Sequence, residues 1–158
     1  MRNAFSLLFM TLMVGILLCP DLGATAMIPL SLQQLSQGAE TIVLGTVTSQ
    51  ASAWNTAQTA IYTDVIINVE EAIKGVAGPE VTFRIAGGEV GYIGMRASTH
   101  PTFHIGERVI VFLRTVGTTA QLFGLQQGKF TVHDDTVTHE GQLVPVPNFR
   151  AAIRVTSK

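Results

Sequence analysis

Apolar and polar positions alternate along much of this chain, and the alternation predicts strands. The clearest run is 61–74, IYTDVIINVEEAIK. Ile61, Thr63, Val65, Ile67 and Val69 fall on one face, and Tyr62, Asp64, Asn68 and Glu70 on the other, with Ile66 an apolar exception. A helical period of 3.6 would scatter these residues around a cylinder. Residues 81–85 alternate as cleanly: Val81, Phe83 and Ile85 against Thr82 and Arg84. Val109 to Leu113 are five consecutive apolar residues, β-branched and aromatic, which predicts a strand covered on both faces. TIVLGTVTSQ, 41–50, is rich in β-branched residues, and Gly45 inside it predicts a bulge. The following ASAWNTAQTA reads as a polar loop carrying Trp54. Gly117-Thr118-Thr119 predicts a hairpin turn into AQLFG. KFTVHDDTVTH predicts a second hairpin, with Phe130, Val132 and Val137 inward and Asp134-Asp135 at its tip.

Helical signals are few. Ser31 and Gln34 fit a capping box opening SLQQLSQGA, with Gly38 at its end. A second short helix, capped by Asn148, is expected in the tail. The Lys74-Gly75 and Gly78-Pro79 pairs mark a turn. Many short strands with one or two short helices predict a mainly β chain. The order suits a small OB-like barrel of five to seven strands: a long first pair, a long connection before the fourth strand, then hairpins. That long connection is 86–106, AGGEVGYIGMRASTHPTFHIG.

The N-terminus changes the picture of the domain. Arg2 precedes an apolar run from Ala4 to Leu18, and Ala24 and Ala26 stand in a small-x-small arrangement. This reads as a secretory signal peptide over 1–26, leaving one domain over 27–158, secreted or periplasmic. A membrane anchor is the rival reading, but the run falls short of the ~20 residues a span needs. A lipoprotein is another, although Leu18 rather than a small residue precedes Cys19. Cys19 is the only cysteine, so the mature chain has no disulfide and is held by its core alone. Its Lys and Arg residues are scattered and the net charge is −1, which argues against a nucleic-acid partner. Past the leader no apolar run is long enough to span a membrane.

Several short motifs carry a resemblance. They are Gly45-x-Val47; Tyr62-Thr63 in a strand ending Lys74-Gly75; Gly87-Gly88-x-x-Gly91; Gly106-Glu107 leading to Phe112-Leu113; and Gln127-Gly128-Lys129-Phe130. Together they cover roughly residues 35–133, most of the mature chain. The pattern resembles a family of exported bacterial domains of unestablished function, sometimes adjacent or fused to metallopeptidase domains. More remotely it is similar to the netrin-like OB fold of tissue inhibitors of metalloproteinases. That likeness implies a netrin-like barrel and raises a peptidase-inhibitor role. Those inhibitors, however, act through an N-terminal cysteine, and the mature chain has none.

Candidate chemistry is sparse. Gly87, Gly88, Gly91 and Gly94 match neither the dinucleotide fingerprint nor the P-loop, and read as hinges of the long loop. His100 and His104 stand four apart as zincin histidines do, but Pro101 breaks the helix that motif needs and no Glu follows His100; on a strand their rings would lie about 13 Å apart. His133 and His139 flank the last hairpin and could face each other. These four histidines define an alternative, a metal-binding protein or small metal-dependent hydrolase. No G-x-S-x-G is present. Glu70 and Glu71 are expected on opposite strand faces, unable to act as a pair. The leading expectation is therefore a non-catalytic exported domain without a cofactor. It would bind another exported or cell-surface protein through Trp54, Tyr92, Ile93, Met95 and Phe103, residues of the type that anchor interfaces. The rival expectation for Ile93 and Phe103 is that they fold back and plug the barrel.

Overall fold

The computed structural model describes residues 28–157; the expected signal peptide falls outside them. A capping box opens α1 (Leu32–Gly38): Ser31 Oγ accepts from Gln34 N–H, and the Gln34 side chain accepts from Ser31 N–H. The strands are β1 (Thr41–Trp54), β2 (Ile61–Lys74), β3 (Glu80–Val90), β4 (Ile93–Arg96), β5 (Arg108–Val116), β6 (Thr119–Leu122), β7 (Lys129–His133), β8 (Thr136–His139) and β9 (Gln142–Pro145). A short 3-10 turn (Leu125–Gly128) precedes β7, and α2 (Val146–Thr156) closes the fold.

Five strands form a closed ring. β1 pairs β2, β2 pairs β3, β6 pairs β5 and β5 returns to β1, all antiparallel, while β3 and β6 join in parallel at Arg84 and Gln121. One parallel junction in an antiparallel ring gives the strand order of an OB-like barrel. The β7–β8–β9 meander extends from β5, and β4 folds back on β3.

The ring separates two apolar cores, and β1 and β5 serve both. Val43 and Val47 of β1 point into the barrel with Val65, Ile67, Phe83, Ile85, Val109, Val111 and Leu113. Ile42 and Leu44 point the other way, with Ile110 and Phe112, into a second core roofed by Leu35 of α1 and Phe149 and Ile153 of α2. The run 109–113 is thus covered on both faces, because alternate residues feed different cores. Phe112 lies in the helix-side core, tilted against Phe130, and not among the barrel residues.

Bulges re-aim β1. A register shift beside Gly45 lets the strand approach β2 so closely that a Cβ there would lie 2.2 Å from the Asn68 carbonyl. A second, between Val47 and Ser49, resets the alternation so that Gln50, Ser52 and Trp54 oppose Val65, Thr63 and Ile61. Pairing continues to Trp54, so Ala51–Trp54 is strand and not the expected loop. The tail helix begins at Val146, not after Asn148. Pro147 sits in its first turn, where no intrahelical N–H bond is needed, and Val146 N–H donates to Asp135 O.

Candidate functional site

The stretch expected to be an open loop is largely a hairpin. β3 runs through both Gly87 and Gly88, and β4 pairs back on it from Val90–Ile93 to Gly87–Arg96. Gly91 takes φ 62° at the turn, the geometry a two-residue type II′ hairpin needs at its first central position. Gly88 is required for a packing reason. With φ 136°, its missing Cβ would lie 2.3 Å from Thr63 Oγ1 and 2.4 Å from Ser52 Oγ. Those two hydroxyls hydrogen-bond each other at 2.8 Å, and Thr63 Oγ1 donates to Gly87 O at 2.7 Å. Gly87 and Gly88 therefore seat the hairpin stem closely against its neighbours, while Gly91 makes its turn and Gly94 stands in open contact with Glu89.

Between this hairpin and the barrel end lies a cleft of about 360 Å³. It is lined by Gln50 of β1, Thr63 of β2, Ile85, Gly87 and Gly88 of β3, Met95 and Arg96 of β4, and His100 and Phe103 of the segment that follows. The 97–107 segment is tied down at several points. His100 N–H donates to Ala97 O, Gln126 N–H to Thr99 O, and Gln50 Nε2 to Phe103 O. Phe103 is buried edge-on against Phe83, with the Lys129 ammonium over its other side. It is buried in the barrel core, where the rival expectation for this residue put it, and does not stand on the surface.

A half-buried hub fixes the base of this segment. Glu107 Oε1 accepts from Lys129 Nζ and from Thr131 Oγ1, both at 2.6 Å, and Oε2 accepts from His104 N–H at 3.1 Å. Lys129 Nζ also donates to Thr102 O. Burial disfavours the Glu107 carboxylate, but these hydrogen bonds outweigh it and hold its pKa below the usual range. No local spacing joins residues 107, 129 and 131, so the sequence pattern did not disclose the hub. Burial alone lowers the pKa of His100.

The expected anchors separate. Tyr92 is fully exposed and Ile93 more than half exposed, at the hairpin tip. Met95 is half-buried in the cleft wall, and Trp54 is half-buried opposite Ile61 at the end of β1. The histidines do not assemble either. His133 lies opposite Thr136, and the His139 ring packs against Phe130 and Phe149. Among the described residues no three His, Cys, Asp or Glu side chains are grouped to hold a metal. Glu70 and Glu71 straddle a register shift instead of simply alternating, and each is taken by arginines. Glu70 meets Arg108, and Glu71 meets Arg150 and Arg154 of α2. Among the described residues no helix is long and apolar enough to cross a membrane. No protein-family model, curated protein or solved structure matches the chain.

Proposed function

We propose that this is an exported, non-catalytic interaction domain that engages another extracytoplasmic protein through the β3–β4 hairpin. One observation carries the reading. Two large apolar side chains, Tyr92 and Ile93, stand exposed on a hairpin whose stem is packed onto the barrel by Gly88, Ser52 and Thr63. A rigid stem lowers the ordering entropy that a mobile loop would lose on binding. Exposed aromatic and aliphatic residues on such a support match the anchors of protein interfaces.

The test is a doubly substituted protein, Tyr92→Ser with Ile93→Ser, used beside wild type to capture partners from the exported fraction. Both changes lie at exposed positions, so the urea midpoint is expected to be unchanged. A specific partner retained by wild type should be lost by the variant. Equal capture by both proteins would place the interface elsewhere.

A further inference from the structure

We infer that the cleft beside the hairpin receives an extended peptide segment, which adds as a strand to the outer edge of β4 and sets an acidic side chain against Arg96. This deepens the interaction reading above and rests on it. The argument begins with pairing geometry. A two-residue hairpin closes on a hydrogen-bonded pair, here Val90 and Ile93. Alternation then turns the backbone groups of Met95 inward to Gly88, and those of Gly94 and Arg96 outward. β4 pairs only with β3, so the outward N–H and C=O groups of Gly94 and Arg96 have no strand partner. Such an edge is a template for strand addition unless it is guarded. Gly94 offers no side chain to block approach, and the segment Ile93–Arg96 contains no proline.

The cleft supplies what a bare edge lacks. Main-chain bonds hold an added strand, while pockets for its alternate side chains select it. The cleft adjoins β4 and includes Ile85, Met95 and Phe103 in its lining, which suits one or two apolar side chains. The charge of the segment follows from Arg96. Among the described residues Arg96 forms no ion pair, although Glu89 lines the same cleft. Arg84, Arg108, Arg150 and Arg154 each have a carboxylate partner, and Arg114, also without an ion pair, lies over the Phe123 ring. A glutamate or aspartate on the incoming strand would supply the missing partner to a guanidinium suited to bidentate contact.

The test uses a blocked, fluorescein-labelled heptapeptide alternating serine and valine with one central glutamate. Two control peptides accompany it, one N-methylated at alternate residues and one with lysine for glutamate. Anisotropy should show saturable binding with Kd below about 1 mM. N-methylation should abolish binding, and the lysine peptide should bind at least about tenfold more weakly. Arg96→Gln should remove the preference between glutamate and lysine. Gly94→Pro deletes an outward N–H and should abolish binding. Gly94→Ala should retain it, since a Cβ there meets Glu89 Cγ at an ordinary 3.5 Å. If the proline variant does not fold, the N-methylated peptide carries the same question on wild-type protein.

No binding by the parent peptide, or binding indifferent to N-methylation, overturns the strand-addition inference. The hairpin-tip reading survives that result if Tyr92→Ser with Ile93→Ser still loses its partner. Should wild type instead dimerise on concentration, and Gly94→Pro prevent it, the edge belongs to a second copy of the chain and the inference fails.

Discussion

His100 shows how much one residue's surroundings decide. Its ring is half-buried beside the cleft, with only a long 3.4 Å contact from Nδ1 to Thr99 Oγ1, and burial lowers its pKa. A histidine whose folded pKa is depressed contributes stability that is complete above its unfolded pKa of about 6.5 and lost as pH falls toward the folded value. Asp64, Glu70 and Glu107 also have lowered values, from the hydrogen bonds of Arg84, Arg108 and Lys129 with Thr131 respectively; for Glu107 these overcome its burial. Their contribution is lost lower, as pH falls from about 4 through their folded values. Urea midpoints measured from pH 7.5 to 3 should therefore fall in two stages, and His100→Gln should flatten the upper one alone. An unchanged upper slope in that variant would show that His100 is not its source. The burial of His100 was not legible in sequence, and for Phe103 the sequence left two readings open, a partner anchor and a barrel plug. Their packing partners, Phe83 and Lys129 among them, lie some twenty residues or more away, and residue type in a Gly-rich segment does not reveal them.

At the scale of elements, local signals read well wherever the partners are local. The capping box of α1, the bulge at Gly45 and the tip of the β7–β8 hairpin formed as their residues implied. Asp134 and Asp135 both take positive φ, as a tight turn requires. Elements that depend on distant contacts read poorly. The Gly-rich hairpin looked like a loop because its glycines are selected by Ser52, Thr63 and Met95, which the local pattern does not show. Lys74-Gly75 read only as a turn. Lys74 Nζ in fact donates to the carbonyls of Ser36 and Ala39 at 2.7 Å, and to Gln37 at 3.4 Å, closing the C-terminal end of α1. Gly75 lets that crossing happen, since a Cβ there would stand 2.5 Å from Glu40 O. A cation is the suitable cap for a helix C-terminus. Lys74→Met should keep the aliphatic packing and lose the three bonds, at a cost of about 1.5–3 kcal/mol. Hydrogen exchange at the Ala39 amide, which donates to Leu35 O, should rise before exchange in β1. No change in α1 protection would show that the helix is held by packing alone.

The described residues form two cores back to back on shared strands, β1 and β5 along the contact and β2 through Ile73 at its end, and this arrangement makes a definite claim about cooperativity. The unbroken apolar run 109–113 announced a strand buried on both sides. It could not say which face belonged to the barrel, because that depends on the register of β5 against β1, from Thr41–Leu113 to Thr46–Arg108. With the register known, neighbours in sequence report on different cores: Val111 faces Val43, Val65 and Phe83, while Phe112 faces Leu35, Phe130 and the tail helix. Loss of packing in either core removes support from strands that the other core also uses. The chain should therefore unfold in one transition, as single domains of this size usually do. Phe112→Ala removes a fully buried ring and should cost about 3–5 kcal/mol. Val111→Ala should cost less, about 2 kcal/mol, for the two methyl groups it loses. The informative result is the shape of the curves. Both variants should shift the near-ultraviolet signal and the helical far-ultraviolet signal together, with a common urea midpoint. If Phe112→Ala lost the helical signal first and left the barrel folded, the helix-side core would be a separate unit docked on the ring. If Phe112→Ala cost under about 1 kcal/mol, Phe112 would not occupy the buried site assigned to it here, and the back-to-back arrangement would be wrong.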